Sequence, residues 1–363
     1  MKKILLAEAV VLVVLVVVAI FVSVFVTGKP DPTGDFLQNT TGTIQVQTTT
    51  DSSEADTTEA PTETLPPNPT QGTTAPAPTD APTQPPTQAP TQAQTKPAPN
   101  EFGIEARQYF VYDCESGEFL AISGEKSDKV YPASVTKLFS AFVALQYLDP
   151  EEVITAGDEL DMVASDSSLA YIQKGHKLTV AMLVEGMLLP SGNDAAHILA
   201  AAAGRKAAGD SSLSAKNAVS FFVNMMNATA NAMGMKNSHF SNPDGYHDDN
   251  HYTSLGDLSI IARLALDNAT ISTYTKTYED DVKYASGQTI TWKNTNHLIN
   301  PYSEYYISTA IGLKTGYTDE AGNCLMSAFR VGGRNVIIGV FGCPKGYGRF
   351  NDTTTLYEEL VEN

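Results

Sequence analysis

The helical part of the fold begins at Tyr131-Pro-Ala-Ser-Val-Thr-Lys137. Apolar residues then recur every three or four positions as far as Leu148, which is the period of an amphipathic helix. Because residues three apart lie on one face of a helix, we expect Ser134 and Lys137 to be neighbours at its start. A serine hydroxyl becomes a good nucleophile when an adjacent base removes its proton, and a lysine with a lowered pKa is such a base. The segment therefore predicts a helix and a candidate catalytic pair.

Strand patterns lie on both sides of a helical region. Segments 107–113 and 119–123 flank a turn containing Gly117 and predict a hairpin. Apolar periodicity predicts helices at 136–148, 180–189, 194–203, 216–233 and 352–361, and strands at 307–313, 323–330 and 335–342. This order predicts an α+β fold, with an antiparallel sheet built from both chain ends and a mostly helical lobe.

Residues 1–27 predict a membrane anchor. The run from Ile4 to Val26 is apolar except for Glu8 and Ser23, and it is close to the ~20 residues needed to cross a bilayer. Basic residues precede this run, so the remainder is expected outside the cell. A cleaved signal segment is the alternative, and it would make the protein secreted.

Composition separates a linker from a folded head. Residues 28–100 contain 14 of the 20 Pro and predict a disordered Thr/Pro/Gln-rich linker, which leaves 101–363 for a catalytic domain. The net charge of −18 and the lack of a basic stripe argue against nucleic acid as a partner.

Cys324 and Cys343 are expected to be diagonal neighbours on adjacent strands, too far apart for an easy disulfide. Free thiols are therefore expected, and a disulfide bond to Cys114 is the alternative.

Two further motifs carry polar side chains. Ser191-Gly-Asn193 lies between two predicted helices, where it either caps a helix or presents a hydroxyl and an amide to a ligand. Lys314-Thr-Gly-Tyr317 lies at the end of a predicted strand. An ammonium, a hydroxyl and free edge N–H groups suit a carboxylate at the end of an extended peptide. The alternative is a solvated strand end.

The order of the three motifs is the signature of penicillin-binding proteins and serine β-lactamases. From about 107 to 360 the chain resembles the low-molecular-weight penicillin-binding proteins, the serine D-alanyl-D-alanine carboxypeptidases. The segments that carry this resemblance are Pro132–Lys137, Leu188–Ala196, His239–Gly245, His251–Ser254 and Gly312–Cys324.

The resemblance implies a covalent mechanism. Ser134 attacks the carbonyl between two D-alanines, and Lys137 acts as its general base. Ser191 passes a proton to the leaving amine, and Asn193 holds both the peptide and Lys137. Lys314 keeps Lys137 neutral through like-charge repulsion. No cofactor and no metal are implied.

The resemblance also implies the partners. Lys314 and Thr315 bind the terminal carboxylate of a peptidoglycan stem peptide, and Gly316 permits close approach. The N–H groups of Ser134 and Tyr317 form the oxyanion hole. β-Lactam antibiotics imitate the substrate and acylate Ser134. Some family members offer an Arg shortly before Lys-Thr-Gly or carry a β-rich domain after the catalytic one. Residues 284–313 contain no Arg and few residues follow Gly342, so we expect neither feature.

Three alternatives remain open. A class A β-lactamase needs a Glu between the second and third motifs, but 186–278 contain none, and Gly192 stands where such enzymes have Asp. A zinc peptidase is suggested by His247 and His251, although the preceding segment reads as a turn. A non-catalytic module that binds wall peptides is the third alternative.

Overall fold

A computed structural model describes residues 102–362. The expected anchor at 1–27 and the linker at 28–100 lie outside the described residues. Within 102–362, no helix combines the length and the apolar character needed to cross a bilayer.

Eleven strands and seven α-helices occur between residues 102 and 362. The strands are β1 (Gln108–Asp113), β2 (Glu118–Ile122), β3 (Lys129–Val130), β4 (Val153–Thr155), β5 (Lys177–Thr179), β6 (Thr253–Ser254), β7 (Glu279–Lys283), β8 (Thr289–Lys293), β9 (Ala310–Thr318), β10 (Gly322–Val331) and β11 (Arg334–Cys343). The helices are α1 (Thr136–Ala144), α2 (Val180–Leu188), α3 (Asn193–Ala208), α4 (Ala215–Ala232), α5 (Leu255–Asp267), α6 (Ala269–Thr275) and α7 (Gly348–Leu360).

The main sheet has five strands in the order β2-β1-β11-β10-β9, all antiparallel. Its first two strands come from the start of the described chain and its last three from the end. The predicted α+β fold is therefore confirmed. Strand β9 lies at one edge of the sheet, so one side of its backbone is free to pair with another extended chain.

The sheet is covered on both faces. One face carries Phe110 and Phe341 and packs against the helices, including Phe139 of α1. The other face carries Phe329, which packs against Tyr357 of α7 with ring centroids 4.7 Å apart. Helix α1 packs among the other helices, and all nine of its residues are buried. This central position fixes the start of α1 firmly in the core.

Several boundaries differ from the sequence predictions. Helix α1 ends at Ala144 instead of Leu148, and α5, α6 and the β7–β8 hairpin were not predicted. The strand predicted at 307–313 runs from Ala310 to Thr318, so Lys314-Thr-Gly lies within the strand rather than at its end. Gly312 and Leu313 have φ values of +112° and +71°. This irregular backbone interrupts the alternation of side chains, and the alternation is what marks a strand in a sequence.

Candidate active site

Ser134 and Lys137 form the centre of the site. Ser134 lies in a 3₁₀ turn at Ala133–Val135, immediately before α1, and Lys137 lies in the first turn of α1. The Lys137 Nζ atom donates hydrogen bonds of 2.7 Å to Ser134 Oγ and to the carbonyl oxygen of Asp244. Ser134 is half-buried, whereas Lys137 has no exposed surface. The structure therefore brings together the pair that the sequence predicts, with the hydroxyl accessible and the amine beneath it.

Burial lowers the pKa of Lys137 to about 8, although the carboxylates of Asp244 and Asp194 oppose this shift. Desolvation has this effect because an ammonium loses its hydration in the protein interior. A substantial fraction of Lys137 is therefore neutral near pH 7 to 8. A neutral amine next to a hydroxyl can accept its proton.

A second buried lysine comes from β9. Lys314 has no exposed surface, and its Nζ donates to the carbonyl oxygen of Thr315 at 3.2 Å. Burial, followed by the nearby charges of Lys137 and Arg349, holds the pKa of Lys314 well below its usual value. The charge of Lys137 therefore acts on Lys314, but burial is the largest cause of the lowered pKa of both lysines.

The Ser191-Gly-Asn193 segment is a strained loop that leads into α3. Ser191 has a φ of +64°, and a Cβ on Gly192 would lie 2.8 Å from the backbone nitrogen of Ala170. The cap residue of α3 is Gly192, without a side-chain cap, so the helix-cap interpretation of Ser191 is wrong. Asn193 donates to Ser167 Oγ at 3.0 Å. The resemblance implies a contact between Asn193 and Lys137, but no hydrogen bond among the described residues joins them.

The Lys-Thr-Gly strand runs directly past the nucleophile. A Cβ on Gly316 would lie 2.9 Å from the carbonyl oxygen of Pro132 and 3.0 Å from the backbone nitrogen of Ser134. Only glycine permits this approach. Tyr317 is 56% exposed, and its hydroxyl donates to Asp319 at 2.7 Å. The backbones at 134 and 316–317 therefore lie side by side, as an oxyanion hole requires.

The three motifs line one pocket of about 500 Å³. Ser134 is contributed by the turn before α1, Ser191 and Asn193 by the strained loop, and Thr315 and Gly316 by β9. Lys137 and Lys314 lie buried behind this surface. The pocket is thus a cleft between the helical lobe and the edge of the sheet.

Sequence reasoning missed Arg349, which lines the same pocket. It projects from α7, and its Nη1 donates to the carbonyl oxygen of Gly316 at 3.2 Å. The segment before Lys-Thr-Gly contains no Arg, as expected, but an Arg far along the chain reaches the pocket instead. Nothing in the sequence indicates this, since the helix that carries Arg349 is placed by packing on the far side of the sheet.

Thr295 is a second missed residue. Its Oγ1 lies 2.5 Å from Thr315 Oγ1, and its backbone nitrogen donates to the carbonyl oxygen of Leu189 at 3.2 Å. Thr295 therefore links the β9 motif to the loop that carries Ser191. It lies in an aperiodic segment after β8, where the sequence gives no signal.

The two histidines considered as zinc ligands do not form a metal site. His251 is buried, its Nδ1 accepts from the backbone nitrogen of Ser241, and its Nε2 lies 2.8 Å from Thr136 Oγ1. Burial lowers the pKa of His251 to about 4, so the ring is neutral. Both of its nitrogens have protein partners, and the segment is a loop rather than a helix. The zinc interpretation is therefore unsupported.

Known proteins share this fold. The crystal structure of the Streptomyces K15 DD-transpeptidase superposes with a TM-score of 0.63 at 32% identity, covering 70% of this chain and 96% of that one. The ampicillin-bound form of penicillin-binding protein D2 from Listeria monocytogenes has a TM-score of 0.58 at 26% identity, covering 72% and 99%. The fold is therefore that of the penicillin-binding DD-peptidases.

Comparison of the amino-acid sequence with known proteins identifies the family within this fold. The profile of the D-alanyl-D-alanine carboxypeptidase family matches residues 91–345, and the chain belongs to this family. The D-alanyl-D-alanine carboxypeptidase of Streptomyces sp. (strain K15) is 36% identical over 232 residues, which are 61% of this chain and 76% of that protein. DacF from Bacillus subtilis (strain 168), also a D-alanyl-D-alanine carboxypeptidase, is 29% identical over 247 residues, or 67% of this chain. The match spans 59% of the Bacillus protein.

Proposed function

We propose that this chain is a serine D-alanyl-D-alanine carboxypeptidase that removes the terminal D-alanine from peptidoglycan stem pentapeptides. The observation that carries the proposal is the 2.7 Å hydrogen bond from Lys137 Nζ to Ser134 Oγ beside the pocket. Family membership supports the same reaction. A pocket that only binds peptide has no need for a buried amine next to an accessible hydroxyl, which argues against the non-catalytic alternative.

In the first half-reaction Ser134 Oγ attacks the carbonyl carbon between the two D-alanines. Neutral Lys137 accepts the hydroxyl proton, and the carbonyl oxygen gains the negative charge. The N–H groups of Ser134 and Tyr317 stabilise this oxyanion. The C–N bond then breaks, and the leaving amine receives a proton through Ser191, so that free D-alanine departs and an acyl-enzyme remains. Water hydrolyses this ester in the second half-reaction.

The carboxylate of the terminal D-alanine binds beside β9. Thr315 supplies a hydroxyl, while Lys314 and Arg349 supply positive charge in a protein that is otherwise acidic. Asn193 contacts the peptide from the opposite wall. The free edge of β9 pairs with the extended stem peptide, while the contacts to the terminal carboxylate account for a preference for a chain end over an internal bond.

β-Lactams should acylate the same serine. Penicillin resembles the D-alanyl-D-alanine end, and the Listeria relative named above carries bound ampicillin. A class A β-lactamase would need a carboxylate that activates the deacylating water. Only Asp166, Asp319 and Glu320 supply carboxylates to the described pocket lining, and Tyr246 and Tyr317 donate hydrogen bonds to the two aspartates. Slow release of penicillin therefore fits the site better than rapid hydrolysis.

The cell-surface arrangement is a further part of the proposal. Residues 1–27 anchor the chain in the membrane, residues 28–100 form an extended spacer, and residues 101–363 form an extracellular catalytic domain. The apolar run at 4–26 and the Pro-rich composition of 28–100 support this arrangement. Fractionation of cells into membrane and medium would test it, because a cleaved signal segment would leave the protein in the medium.

The activity is tested with the purified full chain and a pentapeptide ending in D-Ala-D-Ala. We expect D-alanine release by the wild type and none by Ser134→Ala, and covalent attachment of labelled penicillin to the wild type alone. Chelators should leave the activity unchanged. Labelling of Ser134→Ala, or loss of activity in chelator, would contradict the proposal. Adding an acceptor amine shows how far the enzyme also transfers the acyl group, as the name of the Streptomyces relative suggests.

A further inference from the structure

A buried carboxylate and imidazole lie behind the catalytic lysine, and the mechanism above does not use them. Asp244 Oδ2 lies 3.2 Å from His197 Nε2, and the two residues are 2% and 6% exposed. His197 projects from α3, the helix that begins at Asn193. Asp244 lies in the loop that contacts the turn of Ser134. The pair therefore joins the second motif to the first from beneath the pocket.

The direction of the hydrogen bond between His197 and Asp244 follows from their partners. The Nδ1 atom of His197 is buried and has no hydrogen-bond partner among the described residues. A carboxylate oxygen can only accept, so the Nε2–H group of His197 donates to Asp244 Oδ2.

The main chain of Asp244 binds Lys137 directly. Its carbonyl oxygen accepts the 2.7 Å hydrogen bond from Lys137 Nζ, and its Oδ1 accepts from the backbone nitrogen of Tyr246 at 3.0 Å. The next residue, Gly245, has a φ of +82°, and a Cβ there would collide with the carbonyl oxygen of Ala133. The side chain of Asp244 thus fixes a tight loop whose carbonyl orients the lysine.

The charged and titratable groups around Lys137 are few. They are Asp244 and His251 from the 240–252 segment, Asp194 and His197 from α3, Lys314 from β9, and Arg349 from α7 beside Lys314. The carboxylate of Asp194 accepts hydrogen bonds from the backbone nitrogens of Ala170 and Ile172, at 2.8 and 2.9 Å. Asp244 is therefore the carboxylate most directly coupled to Lys137, through both its carbonyl and its charge.

We propose that Asp244 and His197 are positioning residues for Lys137. The Asp244 carboxylate, oriented by His197, fixes the carbonyl that accepts from Lys137 and supplies the negative charge that sets the pH at which Lys137 becomes neutral. This proposal rests on the proposed function, in which neutral Lys137 deprotonates Ser134.

The test is the rate of acylation by a fluorescent penicillin as a function of pH in the full-length protein. Because only neutral Lys137 accepts the serine proton, the rate rises as pH passes the pKa of Lys137. Asp244→Asn removes a negative charge that favours the ammonium, so the midpoint of the rise should move to lower pH by about one unit. Asp248→Asn is the matched control. It removes a charge from the same segment at a partly exposed site bonded to Asn250 and Ser241, and it should leave the midpoint in place.

His197 has its own pair of variants. His197→Gln keeps an N–H donor near the position of Nε2 and should retain the wild-type rate and midpoint. His197→Leu is of similar size but cannot donate, so the carboxylate reorients and carries the Asp244 carbonyl away from Lys137. The acylation rate above the midpoint should then fall by roughly ten- to a hundredfold. Equal rates for the Gln and Leu variants would overturn the role of His197.

Other outcomes separate this inference from the proposed function. If the wild type is not acylated at all, the proposed function fails. If the wild type is acylated but Asp244→Asn has an unchanged midpoint, or Asp248→Asn shifts it equally, the inference alone fails. Circular dichroism establishes that each variant is folded. If the Asp244→Asn variant does not fold, the same comparison is made with Asp244→Ser, which is smaller and also uncharged.

Discussion

The amine of Lys137 donates a 2.7 Å hydrogen bond to the hydroxyl of Ser134. The geometry is that of a base already in contact with its nucleophile, so deprotonation of Ser134 requires a neutral Lys137 but no conformational change that brings the two together. The neighbours of Lys137 that alter this charge should therefore alter the rate.

The first prediction concerns the pH dependence of acylation. Burial lowers the pKa of Lys137 to about 8, so the active, neutral amine is scarce at pH 6 and predominant at pH 9.5. The rate of penicillin acylation should rise across this range with a midpoint near 8. Stopped-flow fluorescence between pH 6 and 9.5 measures it. A rate independent of pH would show that Lys137 is not the base.

The second prediction concerns Lys314. Its charge and that of Lys137 repel each other, so Lys314→Ala should raise the midpoint of acylation, the opposite direction to Asp244→Asn. It should also remove a contact for the substrate carboxylate and lower D-alanine release by more than about 100-fold. Lys293→Ala removes an exposed lysine paired with Glu279 and serves as the control, with wild-type kinetics expected. A midpoint that falls in Lys314→Ala would contradict the interaction.

The features of the structure that could be predicted from the sequence are those that local geometry determines. Ser134 and Lys137 could be paired in advance because helix geometry alone brings residues three apart together. The β10–β11 hairpin could be placed because Gly332 and Gly333 mark its turn. These features are local, and local rules are sufficient for them.

Arg349 and Thr295 could not be found in this way. Each reaches the pocket through packing between elements that are distant in the chain, and neither lies in a motif. The extent of β9 was misjudged for a related reason. Gly312, whose φ is positive, lies against the backbone of Thr275, and the pattern of side chains does not record such a contact.

A third prediction follows from Arg349. Its guanidinium adds a positive charge at the pocket wall, where the terminal carboxylate of the peptide binds. Arg349→Leu should raise KM for D-alanine release by roughly tenfold or more, since a charge-assisted hydrogen bond is lost. A fluorescent β-lactam ester without a free carboxylate should acylate the variant and the wild type equally. A similar loss for both ligands would mean that Arg349 supports the fold rather than the carboxylate.

A fourth prediction follows from the contact between Thr295 and Thr315. Thr295→Val keeps the shape of the side chain but removes the hydroxyl that lies 2.5 Å from Thr315 Oγ1. Thr315 then loses its orientation, so KM for the pentapeptide should rise several-fold while the pH midpoint stays unchanged. The loss of one hydrogen bond should cost about 1 kcal/mol of unfolding free energy. Thr295→Ser, which retains a hydroxyl, should restore the wild-type KM.

The last prediction concerns the stability of the wall that carries Ser191. Gly186 in α2 faces Trp292 of β8, and a Cβ at this position would lie 2.8 Å from the Trp292 ring and 3.2 Å from Ala170 Cβ. The ring cannot move away, because it is buried and its Nε1 donates to the carbonyl oxygen of Ala170 at 3.0 Å. Gly186→Ala should therefore lower the free energy of unfolding by about 1 to 3 kcal/mol, even though alanine favours a helix.

Urea unfolding of Gly186→Ala, Trp292→Phe and the double variant measures this effect. Trp292→Phe alone loses a hydrogen bond and part of its volume, but in the double variant the smaller ring leaves room for the added methyl group. The double variant should thus be more stable than the sum of the two single effects indicates, by about 1 kcal/mol. If the changes in unfolding free energy of the two single variants are additive, the destabilisation by Gly186→Ala does not arise from contact with the Trp292 ring. Since the backbone of Gly192 donates to the carbonyl oxygen of Gly186 at 3.0 Å, the same substitution should also slow acylation by displacing the Ser191 loop.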